Sequence, residues 1–246
     1  MMDKTFKHSG DLGDIIYSLP TIKKLGGGIL YLDITGGSDE YICKAQCMEG
    51  KTKFNEVSFN YIKPLIETQS YIKKVEIYNG EKIDYNLNNF RYKFSDPSSR
   101  SKTKNLLDLH LEAFDLPEWN PNESWIEVNK TINLDRKTLV TRTPRYQSNF
   151  PWFQSRKYNI RDNAMFIGLP KEHEYFEWTF DIKIPYYPVK NALEMAIALN
   201  SCKALISNQT STLAIAIGIG TVPIVQEVDQ RVPNCVFQGK RNMNYI

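Results

Sequence analysis

The chain has 246 residues, 41% hydrophobic and 24% charged, with a formal net charge of +3. That length allows one large domain or two small ones, and the charge is too small to imply a nucleic-acid or membrane partner by itself. Neither of the longest apolar stretches, Gly28 to Ile34 and Leu213 to Val225, approaches the roughly 20 residues of a membrane span.

MMDKTFKHSG lacks an apolar core, so no secretory signal is expected. Cys43 and Cys47 are spaced to share a helix face. No second pair or histidine follows at zinc spacing, so reduced thiols, a cytoplasmic location and no bound metal are expected.

Short apolar runs alternate with amphipathic stretches, the pattern of a parallel sheet covered on both faces. Thr5 to His8 reads as a strand. Asp14 to Lys24 reads as a helix with Ile15, Ile16, Leu19 and Ile22 on one stripe, which Pro20 is expected to kink or shorten. Ile29 to Ile34 reads as a buried strand, Val57 to Thr68 as a helix, Tyr71 to Tyr78 as a strand, Lys102 to Phe114 as an amphipathic helix and Trp125 to Val128 as strand-like. The rhythm then restarts with strands at Thr138 to Thr141, Ala164 to Gly168 and Ile182 to Tyr187, the last ended by Pro188. A helix follows at Asn191 to Leu199, a buried strand at Ala204 to Ser207, a helix at Thr210 to Ile219 and a last strand at Val222 to Val228. Two successive α/β halves, 1–133 and 134–246, give two Rossmann-like domains facing a central cleft, and the tail FQGKRNMNYI reads as a return segment packing on the first. In open α/β sheets ligands bind beyond the carboxyl ends of strands, so the strand-to-helix loops are where chemistry is expected.

Three loops stand out. In HSGDLGDIIYSLP, residues 8 to 20, Gly10 and Gly13 let the backbone turn and a ligand approach. Asp14 falls near a helix start, which stabilises its anion. It reads either as an N-cap or as a general base, and Asp11 either as a solvated turn residue or as part of the site with Ser9. In TRTPRYQSNFPWF, residues 141 to 153, Arg142 and Arg145 bracket a stiffening proline and are suited either to phosphate oxygens or to local acids. In ISNQTSTLAIAIG, residues 206 to 218, the polar run Asn208, Gln209, Thr210, Ser211 and Thr212 opens an all-apolar helix that must be buried, making either a plain N-cap cluster or a diphosphate site. A fourth stretch, GLPKEHEYF at 168 to 176, offers Glu172, His173 and Glu174 either to a ribose or base edge or simply to solvent.

In order along the chain, these segments carry a resemblance. HSGDLGDIIYSLP resembles the N-terminal motif of the heptosyltransferase-type glycosyltransferases of family 9. VTRTPRY, FIGLPKEHEYF, IPYYP and ALISNQTSTLAIAIGIGTVPIV resemble that family's C-terminal half. The resemblance covers both ends and most of residues 138 to 228, while residues 35 to 130 match only in rhythm. It implies an α/β GT-B fold, with the donor nucleotide sugar held mainly by the second domain and the acceptor mainly by the first. It implies Asp14 as general base, with Ser9, Gly10, Asp11 and Gly13 in the acceptor-side loop. Donor contacts would come from Arg142, Arg145, Glu172 or Glu174, Asn208, Gln209, Thr210, Ser211 and Thr212. Many members have an acid where this chain has Gln209 and a histidine where it has Ala214. The SNQ-type loop is similar to a subgroup that includes phage-borne enzymes.

The reading is therefore a glycosyltransferase of hexosyl or heptosyl type that moves a sugar from a nucleotide-diphosphate sugar to an acceptor hydroxyl with inversion. No Asp-x-Asp pair is present to hold a divalent metal against phosphates, so no metal or other cofactor is expected. Two rivals stay open. One is a non-catalytic GT-B module that binds a nucleotide or sugar, which Gln209 and Ala214 keep alive. The other is a DNA-modifying glycosyltransferase acting on hydroxymethylated bases, for which Arg156, Lys157 and Arg161, or Arg100, Lys102 and Lys104, would supply the basic face. The acceptor, saccharide or modified DNA, is not fixed by the sequence.

Overall fold

The computed structural model describes residues 3–34, 54–95, 105–148 and 160–246. Cys43, Cys47, Arg100, Lys102, Lys104, Arg156, Lys157 and residues 149–153 lie outside them. Arg161 lies within them and donates to the Asp181 carbonyl.

The first half is built on β1 (Thr5–His8), β2 (Gly28–Leu32), β3 (Ile72–Ile77) and the two-residue β4 (Tyr85–Asn86), in the parallel order β3-β2-β1-β4. Its helices are α1 (Leu12–Lys24), α2 (Glu56–Ile66), α3 (Phe90–Ser95) and α4 (Leu106–Glu112), with a 3-10 turn at Leu87–Asn89 leading into α3. The second half contains β5 (Thr138–Thr141), α5 (Ile160–Asn163), β6 (Ala164–Ile167), α6 (Pro170–Phe180), β7 (Tyr186–Tyr187), α7 (Ala192–Ser201), β8 (Ala204–Ser207), α8 (Ser211–Ile219), β9 (Ile224–Gln226) and β10 (Met243–Tyr245). Its sheet is also parallel, in the order β10-β9-β8-β5-β6-β7.

One apolar cluster runs through both halves, from Phe6, Ile15 and Leu30 to Leu205, Leu213 and Ile224. The helices join it: α1 packs on α4 and α8, and α2 packs on α7. A second, smaller cluster, which includes Val140, Phe166, Phe176 and Ile206, covers the opposite face of the second sheet.

The helices follow from their sequence. α1 runs through Pro20 to Lys24 instead of stopping at it. The missing N–H normally costs a helix about 3 kcal/mol, but Ile15 to Ile22 are all buried, so packing holds the helix together. α8 is buried on every side from Thr212 to Ile219, which leaves only its ends for polar contacts. Its N-cap, Thr210, accepts from the Leu213 N–H at 3.0 Å, and Thr210 is itself within 3.1 Å of Ser207 Oγ.

Several expected elements change, and the tail is longer in reach than expected. Trp125 to Val128 is not a strand: the Trp125 and Ile126 N–H groups both donate to the Gly218 carbonyl, 3.0 and 3.1 Å away, so the segment clamps α8 instead of joining a sheet. The strand expected from Ile182 shrinks to Tyr186–Tyr187, because Pro185 has no N–H to give to a ladder. The tail contacts both halves. Phe237 stacks on Tyr17 at 5.7 Å and Lys240 donates to the Pro121 carbonyl at 2.7 Å, after which Met243–Tyr245 pairs with β9 as the sheet's edge.

A side chain at Gly218 would meet Ile126 at 2.6 Å and the Trp125 indole at 2.9 Å. Overpacking of this kind costs roughly 1–3 kcal/mol, and a chain of this size loses about 2–4 °C per kcal/mol. Gly218→Ala is therefore expected to lower the thermal midpoint by several degrees. An unchanged midpoint in a melting curve would show that the clamp is loose.

Candidate active site

Both sheets reverse their strand order beside the first strand of the half. In the first, the chain winds outward from β1 to β3 and returns to β4 on the other side of β1. In the second it winds from β5 to β7 and returns to β8 beside β5. Crevices at such reversals are the general ligand sites of open parallel sheets. The loops at the two reversals are the stretch after β1 (Ser9 to Asp11) with the turn after β4, and the stretch after β5 (Arg142 to Ser148) with the stretch after β8 (Asn208 to Thr210).

An asparagine laces each crevice. Asn88 accepts from the Ser9 N–H at 3.1 Å and from Arg91 at 2.5 Å. The fully buried Asn208 accepts from the Thr143 N–H at 3.1 Å and donates to the Thr143 and Arg145 carbonyls at 3.0 and 2.5 Å.

The two crevices meet. A Cβ added to Gly13, in the first turn of α1, would lie 4.0 Å from the Ser211 Cα in the first turn of α8. Arg145 Nη1 reaches across to Asp11 Oδ2 at 3.7 Å. Asp11 is the N-cap residue of α1, and Asp14, three residues on, turns its carboxylate back towards the Asp11 N–H. The N-cap reading of Asp14 is thus corrected: it is the third residue of the helix, with one-fifth of its side chain open to solvent. Burial, and then the neighbouring Asp11 carboxylate, push its pKa up to about 7. Arg91, 3.9 Å away, together with Arg145 and the Asp11 N–H, pulls the other way. A carboxylate that titrates near neutrality beside a solvent path has the properties of a proton acceptor.

Several residues expected to touch a donor serve the scaffold. Arg142 is 4% exposed and makes a bidentate pair with the fully buried Glu227, at 2.7 and 2.9 Å, which holds its guanidinium inside the fold. Gln209 donates to the Val232 carbonyl and Asn234 Oδ1 at 2.8 and 2.7 Å and accepts from the Asp229 N–H at 3.3 Å. These two donations account for an amide at this position, because a carboxylate has no proton to give. Ala214 is fully buried in α8, where an imidazole would have to displace the core. Glu172 accepts from the Leu169 N–H at the start of α6, and His173 lies 2.8 Å from the Ile184 carbonyl. Thr212 is buried. Ser211, against Gly13, and Arg145, against Asp11, are at the junction, and Thr210 is spent as the cap of α8.

Arg91, Asn88, His8 and His110 were not singled out from sequence. His8 ends β1, whereas Asn88 in the turn after β4, Arg91 on α3 and His110 on α4 come from segments with no distinctive local motif. Among the described residues, no group of three or more His, Cys, Asp or Glu side chains is placed to hold a metal ion.

No protein-family model matches the chain, and no curated protein sequence does. Solved structures do match, over nearly the whole of this chain. The E. coli heptosyltransferase WaaC with ADP-2-deoxy-2-fluoro heptose aligns with a TM-score of 0.60 at 10% identity, covering 100% of this chain and 93% of that one. The E. coli ADP-heptose LPS heptosyltransferase II aligns at 0.59 and 13% identity, covering 100% and 90%. A glycosyl transferase of family 9 from Veillonella parvula DSM 2008 aligns at 0.56 and 13% identity, covering 98% and 84%. The chain therefore has a mixed α/β fold of the GT-B type, two parallel sheets with their reversal points opposed. Of these three similar structures, two are heptosyltransferases and one is a glycosyl transferase of family 9.

The two glycines of the first loop differ in what they require. A Cβ at Gly10 would meet His8 at 2.6 Å and both Arg91 and Asp14 at 2.9 Å, whereas Gly13 has ordinary room. Gly13→Ala is expected to keep or slightly raise the thermal midpoint, since alanine is favoured in helices by up to about 1 kcal/mol, while Gly10→Ala lowers it. Gln209→Glu is expected to cost about 1–3 kcal/mol through its unmet acceptors. Equal midpoints for the two glycine variants, or a neutral Gln209→Glu, would contradict this geometry.

Proposed function

We propose that this chain is a glycosyltransferase that moves a sugar from a nucleotide-diphosphate sugar to an acceptor hydroxyl, with inversion at the anomeric carbon. The observation that carries the proposal is the carboxylate of Asp14, raised to a pKa of about 7 in the first turn of α1, whose Gly13 lies against the first turn of α8. The acceptor oxygen attacks the anomeric carbon, the bond from that carbon to the diphosphate oxygen breaks, and Asp14 takes the hydroxyl proton. The departing diphosphate is stabilised by the N-terminal backbone N–H groups of α8 around Ser211 and Thr212 and by Arg145. Fixed protein charge fills the place a divalent cation takes in other transferases.

The likeness to heptosyltransferase structures supports a nucleotide sugar as donor, since two of those proteins are named for or bound to ADP-linked heptoses. The base, the sugar and the acceptor are left unassigned.

General-base help is worth roughly 10²–10⁴ in rate, so Asp14→Asn is expected to lower kcat at least about a hundredfold while donor affinity changes little. kcat/KM for the acceptor should rise with pH and level off above about pH 7, as Asp14 loses its proton. The same substitution should raise the thermal midpoint at pH 8. With a folded pKa above its unfolded value, the group's stabilising contribution is complete below about pH 4 and is lost as pH rises through about 7, so the carboxylate burdens the fold at pH 8 and a neutral amide does not. A folded Asp14→Asn protein that turns over donor sugars as the parent does would remove the base from this mechanism.

A further inference from the structure

Two buried histidines beside the proposed site form a hydrogen-bond chain that runs in one direction only. The Gly10 N–H lies 2.8 Å from His8 Nδ1 and must donate, so that nitrogen carries no proton and the His8 proton sits on Nε2. His8 Nε2 faces His110 Nε2 at 3.2 Å. His110 Nδ1 lies 2.7 Å from the Leu106 carbonyl, which can only accept, so His110 is protonated on Nδ1 and its Nε2 is free to receive the His8 proton donor. The order is Gly10 N–H to His8, His8 to His110, His110 to Leu106, and every partner is satisfied.

The surroundings fix this arrangement. Both imidazoles are fully buried, and Phe90 stacks on His110 at 3.9 Å. Among the described residues, Arg91 of α3 is the charged group that faces the pair, with the carboxylates of Asp11 and Asp14 beyond on the loop and α1. Burial, and then the His110 ring and the Arg91 guanidinium, keep the His8 imidazole well below the ordinary histidine range, and burial holds His110 at about 3. A proton added to either ring would set N–H against N–H and break the chain.

Gly10 is the link to the chemistry. A Cβ there would lie 2.9 Å from the Asp14 Cβ, so its backbone sits directly beneath the base, and the preceding N–H, that of Ser9, is held by Asn88. We propose that His8 and His110 act as one positioning unit for Asp14, fastening Gly10 under the carboxylate from a site that never touches substrate. The kinetic part of this inference rests on the transferase reading, and the spectroscopic part does not.

Long-range ¹H–¹⁵N spectra of the full chain, labelled at histidine, are expected to show His8 as the Nε2–H tautomer and His110 as the Nδ1–H tautomer, with neither titrating between pH 8 and 5.5. The opposite tautomer at either ring, or a midpoint near 6.5, would overturn the dyad whether or not the protein transfers sugars. His8→Phe fills the same space but cannot accept from Gly10. It is expected to lose roughly ten- to a hundredfold in kcat, as small misplacements of a catalytic group do, with the donor KM within about twofold. His8→Asn, whose Oδ1 can replace Nδ1, is expected to recover most of that loss. A folded His8→Phe protein with parental kcat, or a His8→Asn protein no better than a folded His8→Phe one, would overturn the positioning role. If His8→Phe does not fold, His8→Asn and the tautomer spectra decide. A parent protein that hydrolyses or transfers no donor sugar would refute the transferase reading, and the tautomers would still decide the dyad.

Discussion

The first turns of α1 and α8 sit against each other, and most of the site follows from that contact. Each helix start carries roughly half a positive charge and several N–H groups with no partner in their own helix, so bringing two together is unfavourable unless negative charge is supplied. The chain supplies two carboxylates, Asp11 at the cap of α1 and Asp14 in its first turn, and then holds Arg91 and Arg145 beside them. The result is a compact set of alternating charges in which one carboxylate, the more enclosed, has its affinity for a proton raised. In the proposed mechanism a diphosphate, with its own negative charge, takes the α8 side of this junction for the same reason that Asp11 and Asp14 suit the α1 side.

The rest of the fold keeps that contact rigid. α8 offers no polar surface between its ends, so its position is set by packing against α1 and α7, and Trp125 and Ile126 grip its last turn through the Gly218 carbonyl. The polar residues around its first turn are largely committed to the protein itself. Arg142 holds Glu227, Asn208 holds the loop after β5, and Gln209 holds the loop after β9. A preorganised site needs supporting groups of this kind, and they leave Arg145 and Ser211 at the junction.

The sequence shows the architecture more readily than the division of labour within it. β1, β5 and β8 have the bounds expected from their apolar runs, because each run is short and ends at polar or turn-forming residues. β4 and the turn after it leave no trace, since two residues have no periodicity, and Arg91 was missed with them. The charged stretch after β6 proved to be the start of an 11-residue helix, capped by Glu172. Arg142 and Arg145 look alike in TRTPRY, yet one is paired with an acid 85 positions away and the other crosses to the first half, a distinction no local pattern contains. The histidines were unremarkable in sequence for the same reason: positions 8 and 110 become neighbours only once α4 has docked on α1.

The carboxyl ¹³C resonance of Asp14, followed through a pH titration with and without saturating ADP, UDP or GDP, measures directly whether the base and the diphosphate site are one place. A midpoint near 7 in the free protein, moving upward when a nucleoside diphosphate adds its charge at the α8 N-terminus, is the predicted result. A midpoint in the ordinary carboxylate range that no bound nucleotide shifts would contradict the account.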